Sequence, residues 1–272
     1  FYWKHTFTTC SRHIGSGRSC CGTCDTGKNI YNENPCRNSI FIRVYGDDRS
    51  RPRNGGGVLY GKKYVACGDS FTEGPFASKT DETWDADWGV YKTYPYWIAK
   101  RNGMTLINEA KSGSDFTNAS GANNPFSVSR YQAVPKDADY ITLMFGLNET
   151  GVAIGSKTDT TNATLWGAYN IVFEYFLTNM PFAKIGVIIA DAWMTETYAN
   201  AVKEICKYWG IPYLDLKGDQ VPMGIGGRYS ETASKAKTLR NAAFQTSDSD
   251  QHPNPAAHKY RSTIIENFLR SL

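Results

Sequence analysis

The stretch Lys62–Gly74, "KKYVACGDSFTEG", decides how the rest of the chain is read. Tyr64–Gly68 is a short, mostly apolar run of the kind that forms a buried strand. It leaves through Gly68 and Asp69, sets Ser70 at a corner, and runs into a polar turn closed by Gly74. Similar runs recur downstream as "MTLINEA" (Met104–Ala110), "YITLMFG" (Tyr140–Gly146), "KIGVIIA" (Lys184–Ala190) and "PYLDL" (Pro212–Leu216). Helical patterns fall near Tyr94–Arg101, Ala163–Asn179, Thr195–Trp209 and Pro255–Leu269. In "ETYANAVKEICKYWG" the apolar residues stand three and four apart, and the run stops at Gly210. Near-continuous apolar strands alternating with helices predict an α/β domain, its parallel sheet covered on both faces. Sites in such sheets form at the carboxyl ends of the strands.

The 272 residues fit one large domain, or one domain with an appendage, at about 100–200 residues per domain. With 41% hydrophobic and 21% charged residues, the chain can bury a sizeable core. The formal charge of +4 comes from scattered Lys and Arg, which gives no footprint for nucleic acid. No apolar run reaches the roughly 18 residues of a membrane span. The chain begins "FYWKHTF", without an initiator Met or a signal-peptide pattern, and reads as a processed piece of a longer protein.

Residues 1–61 differ in composition from the remainder of the chain and read as a Cys-rich appendage and linker before a domain at 62–272. They hold Cys10, Cys20, Cys21, Cys24 and Cys36, one β-strand candidate in "NSIFIRVYGDD", and the linker-like "RSRPRNGGG". Disulfides, a zinc site using the Cys21–Cys24 spacing near Cys10 and His13, and free thiols all remain open for these five. Cys67 and Cys206 read as small core residues.

At the strand ends stand Gly68, Asp69 and Ser70; then Asn108, Ala110 and Gly113 in "NEAKSG"; then Gly146 and Asn148 in "GLNE". Near the end comes "SDSDQHPNPAAH", with His252. This set contains what acyl transfer requires. A serine hydroxyl needs a base, and His252 is one. An acid behind the histidine fixes its tautomer. The oxyanion needs preorganised donors, for which Ser70 N–H, Gly113 N–H and the Asn148 amide are the candidates.

In order, these four stretches resemble the blocks of the SGNH hydrolases, the GDSL-type esterases. "GDSFTEG" resembles the first block, "NEAKSG" the second with Ala110 in place of a glycine, "GLNE" the third with Glu149 in the aspartate place, and "HPN" the fourth. The resemblance spans about Lys62 to Leu272. It implies a three-layer α/β/α sandwich with a five-stranded parallel sheet in flavodoxin-like order. It also implies Ser70 as nucleophile, His252 as base, and no metal or organic cofactor. His258 resembles a second histidine of the family, though a packing or helix-surface role is the simpler reading.

The acid departs from the family pattern, because Ser249 stands three residues before the histidine. Asp248 and Asp250 are the candidates. Asp250 is favoured, since residues two apart in an extended segment face the same side. A Ser–His dyad held by a backbone carbonyl is the third option. Gly68 is read as keeping clear of substrate, Asp69 as organising the turn, and Asp115 as a solvated loop acid. "GGVLYGKK" (Gly56–Lys63) is not a phosphate loop, because Lys63 stands where Ser or Thr is needed.

The long loop "PFASKTDETWDADWGVYKTYPYW" carries Trp84, Trp88 and Tyr91, which either stack on a sugar ring or pack the loop down. The resulting expectation is a serine esterase acting on small acyl esters, chiefly O-acetyl groups of a polysaccharide. It would work outside the cell, on a cell surface or a virion such as a phage tail, as part of a larger assembly. A lipid esterase and a non-catalytic glycan-binding module are the alternatives.

Overall fold

The computed structural model describes residues 57–74, 76–149, 151–190, 194–216, 239–240, 243–247 and 250–272. All of these fall within one unit of the chain, Pro52–Leu272. The five N-terminal cysteines, the "NSIFIRVYGDD" strand and Asp248 lie outside the described residues.

Five parallel strands form the central sheet: β1 (Lys63–Gly68), β4 (Thr105–Asn108), β5 (Tyr140–Met144), β6 (Lys184–Ile189) and β7 (Tyr213–Asp215). Their spatial order is β4-β1-β5-β6-β7, the flavodoxin-like order expected from the sequence. The middle strands are buried along nearly their whole length, which is why they read as apolar runs without alternation. Two small antiparallel ribbons lie outside this sheet. One joins β2 (Trp84–Asp85) to β3 (Val90–Tyr91), and the other joins β8 (Gln245–Ser247) to β9 (Asp250–Pro253).

The helices are the short turn α1 (Ser70–Glu73), α2 (Tyr94–Asn102), α3 (Leu165–Asn179), α4 (Glu196–Trp209) and α5 (Pro255–Ser271). Helices α2 and α5 pack together, as do α3 and α4, which gives the sheet a helical layer on each face. Arg101 of α2 joins α5 through Glu266 (2.6 Å) and Ser262 (3.1 Å). Gly186 on β6 makes room for α5, since a Cβ there would stand 2.7 Å from the Phe268 ring. Gly103 and Gly210 end α2 and α4 in left-handed backbone, Gly210 being the stop signal read in the sequence. Thr164 and Asn254 cap α3 and α5 with side-chain oxygens.

Residues 57–61, assigned to the linker, pack on the domain: Leu59 is fully buried in the core and Gly61 N–H donates to the Gly103 carbonyl. Cys67 and Cys206 are buried free thiols, as read from their apolar neighbours, and burial pushes both thiols up, Cys206 to about 12.

Candidate active site

β1 ends at Gly68, and Asp69 turns the chain into α1. Asp69 Oδ1 accepts from Phe71 N–H at 2.9 Å and so caps the short helix that carries Ser70. Asp69 is fully buried, and loss of solvation drives its carboxyl up to about 8. It organises the turn, as its position in the sequence suggests. Gly68 corrects a reading. A Cβ at 68 would lie 2.2 Å from Thr72 Oγ1, 2.6 Å from Thr72 Cβ and 2.8 Å from the Met144 carbonyl. The glycine is required by packing under the corner rather than by clearance for substrate.

The structure brings Ser70 and His252, 182 residues apart, into contact: Ser70 Oγ lies 2.8 Å from His252 Nε2. Ser70 is 7% exposed and His252 packs its ring on Phe71 at 5.2 Å between centroids. His252 sits on β9, a strand the sequence does not announce. Asp250, two residues earlier on β9, places Oδ1 2.5 Å from His252 Nδ1 and 3.0 Å from the backbone N–H of His252. Burial pushes Asp250 up, but the hydrogen bonds from His252 outweigh it and hold the carboxyl below the ordinary range. Serine, imidazole and carboxylate therefore form one hydrogen-bonded line, the arrangement that activates a hydroxyl for attack.

Opposite this line, the loop after β4 carries Gly113. Ser114 N–H bonds to Lys111 O at 3.1 Å, and Gly113 holds φ +70°, which an L side chain resists. The loop is held from several directions. Arg130 donates to Glu109 O (2.6 Å) and Ser114 Oγ (2.9 Å), Asn123 Nδ2 donates to Gly113 O (2.9 Å), and Asn148 Nδ2 donates to Ser114 O (2.9 Å). Among the described residues, Ser70 N–H and Gly113 N–H make no hydrogen bond. Both residues line one cleft of about 530 Å³ with Asn148, His252, Phe76 and Tyr91, a volume within the usual range for ligand pockets. Two backbone donors and an amide side chain beside a serine are what an acyl-transfer oxyanion requires.

Glu149, next to Asn148, is buried and accepts from Phe116 N–H, tying the β4 loop to the end of β5. Burial raises its carboxyl to about 7. Asp115 is buried rather than solvated: it is 8% exposed and accepts from Asn123 N–H at 2.6 Å. His258 is fully buried and packs edge-on against Phe76, and among the described residues neither ring nitrogen has a hydrogen-bond partner. Burial, aided by Arg261, depresses its pKa well below the ordinary value. It is a packing residue, not a helix-surface one.

Of Trp84, Trp88 and Tyr91, Tyr91 alone lines the cleft. Trp84 stands edge-on to Tyr91 at 5.0 Å with Lys79 Nζ over its ring, and Trp88 packs on Tyr96. Phe76, which the sequence pattern does not single out, forms the adjoining wall of the cleft. Its place in the loop after "GDSFTEG" was the available signal.

Residues 66–260 match the model of the GDSL-like lipase/acylhydrolase family. Among solved structures, a protein from Lactobacillus plantarum resembles this chain with a TM-score of 0.58 at 22% identity, over 78% of this chain and 98% of that one. A protein termed a GDSL-like lipase, from Bacteroides uniformis, gives 0.56 at 17% identity, over 78% of this chain and 97% of its own. A family two carbohydrate esterase from Clostridium thermocellum, in complex with cellohexaose, gives 0.50 at 16% identity, over 77% of this chain and 64% of its own. At these identities the likeness is one of fold. No curated protein matches the chain.

Proposed function

The chain belongs to the GDSL-like lipase/acylhydrolase family, and from that premise we propose that this serine ester hydrolase removes small acyl groups, chiefly acetyl, from the hydroxyls of a carbohydrate. The observation that carries the chemistry is the unbroken line from Ser70 Oγ through His252 to Asp250, whose first two members line the cleft.

Ser70 Oγ attacks the acyl carbonyl while His252 Nε2 takes its proton. Asp250 holds Nδ1–H and stabilises the imidazolium. The carbonyl oxygen, now negative, is received by Ser70 N–H, Gly113 N–H and Asn148. Loss of one such donor costs about 3–4 kcal/mol in transition-state stabilisation. The proton on Nε2 passes to the departing sugar hydroxyl, leaving an acyl-serine. Water then enters, His252 takes its proton, and a second tetrahedral species collapses to free acid and Ser70.

What supports the small-acyl, sugar-borne reading is the shape and lining of the cleft. It is open to solvent, and its lining combines polar groups with the aromatic rings of Phe76 and Tyr91. The Cys-rich first segment supports a working place at a cell surface or virion, within a larger assembly.

Turnover of p-nitrophenyl acetate by wild type but not by Ser70→Ala is the expected result, and equal rates would overturn the enzyme reading. In a chain-length series, rates falling from acetyl to octanoyl are expected. A preference for long chains would replace the sugar esterase with a lipid esterase. Acetate release from acetylated glycans then identifies the acceptor.

A further inference from the structure

Glu73 occupies the last position of α1, one helical turn after Ser70, and so shares its face of the helix. It lines the same cleft as Ser70, Gly113 and His252. Its side chain reaches 39 residues along the chain: Oε2 accepts from Ser112 N–H at 2.5 Å. Ser112 directly precedes the oxyanion donor Gly113 in the turn Lys111–Ser114, and the Asn123 amide holds the Gly113 carbonyl from the other side. The 112–113 peptide is thus gripped on both flanks, by a carboxylate before it and by an amide after it. A charged acceptor makes the shorter and stronger kind of hydrogen bond.

We propose that Glu73 is a positioning residue of the esterase: by holding Ser112 N–H it sets the Gly113 N–H against the carbonyl that Ser70 attacks. The nucleophile and one of its oxyanion donors are then built on a common support, since α1 carries Ser70 at one end and the clamp on the donor loop at the other. Glu73 exchanges no proton with substrate. Its work is to fix a peptide plane, and misplacement of such a donor by about 1 Å is enough to cost on the order of a hundredfold in rate.

This inference rests on the esterase reading for its consequence but not for its geometry, so two measurements are made on wild type, Glu73→Gln and Glu73→Ala. The first is amide hydrogen exchange at Ser112 by NMR, which needs no turnover. Protection is expected in wild type and Glu73→Gln, whose amide oxygen still accepts, and is expected to be lost in Glu73→Ala. The second is kcat and KM on p-nitrophenyl acetate together with inhibition by a small alkyl boronic acid, whose tetrahedral adduct on Ser70 uses the oxyanion donors. In Glu73→Ala, kcat is expected to fall about tenfold to a hundredfold with KM within about threefold, and boronate affinity to fall in parallel. Glu73→Gln is expected to restore both. Unchanged Ser112 exchange in Glu73→Ala, or lost protection with kcat and boronate binding intact, overturns the proposal. Absence of Ser70-dependent turnover in wild type overturns the esterase reading instead, and the exchange data still decide whether Glu73 holds the loop.

Discussion

Replacing Asp250 by Asn separates the two things an acid can do for a histidine. In this site one oxygen, Oδ1, accepts both the His252 backbone N–H at 3.0 Å and the ring Nδ1–H at 2.5 Å. An asparagine can keep its carbonyl oxygen on both donors, so the imidazole keeps its tautomer and its aim, and only the negative charge is lost. At about 4 Å, a unit charge pair is worth roughly 1–4 kcal/mol for effective dielectric constants between bulk water and a protein surface. The Asp250 side chain is 40% exposed, which favours the lower half of that range. At about 1.36 kcal/mol per decade, the expected loss in kcat is about tenfold to a hundredfold. Asp250→Ala removes the acceptor as well, frees the ring, and is expected to approach the loss of about 10⁴ seen where the tautomer is wrong. The assay is steady-state hydrolysis of p-nitrophenyl acetate by both variants, with circular dichroism to verify folding. Equal losses in the two variants, or a loss near 10⁴ in Asp250→Asn, would refute the bifurcated-acceptor reasoning.

Three further outcomes are expected. Gly68→Ala forces a methyl against Thr72 and the Met144 carbonyl and is expected to destabilise the domain by about 3 kcal/mol, the upper end of overpacking costs, read by urea denaturation; a change below about 0.5 kcal/mol would contradict the packing argument. Asp69 keeps its proton in the folded state, with a pKa of about 8 against 3.8 unfolded, so its stabilising effect is complete below about pH 4 and drains away as pH rises towards 8. Asp69→Asn is therefore expected to raise Tm relative to wild type at pH 8 and to lose most of that advantage at pH 5, with parallel Tm profiles the contrary result. Tyr91→Ala is expected to raise KM for an acetylated oligosaccharide several-fold while leaving p-nitrophenyl acetate nearly unchanged, and equal effects on both substrates would remove Tyr91 as a sugar-facing wall.

The sheet was legible because its strands are buried on both sides. Val65–Cys67, Ile141–Met144 and Val187–Ile189 have no solvent face to encode, so each appears as an apolar or, with Thr142, nearly apolar run followed within two residues by a glycine or a polar residue. The site was legible as far as its members sit at the ends of those runs, which holds for Ser70, Gly113 and Asn148. The ribbon that presents the histidine was not. Gln245–Ser247 and Asp250–Pro253 lie outside the main sheet and are polar along their length, so no alternation betrays them. The side-by-side facing of Asp250 and His252 could still be reasoned from two-residue spacing, because extended backbone imposes it locally. Distances across the fold could not. Asp115 is buried by a loop closing over it from Asn123, and Phe76 turns into the cleft, through contacts that no neighbouring residue implies.

The β8–β9 ribbon carries imidazole and carboxylate together, while the hydroxyl stays on the central scaffold. A displacement of the ribbon as one body would therefore lengthen the gap between Ser70 and His252 while leaving the bond from His252 to Asp250 within the ribbon, so that imidazole and carboxylate would stay aligned with each other.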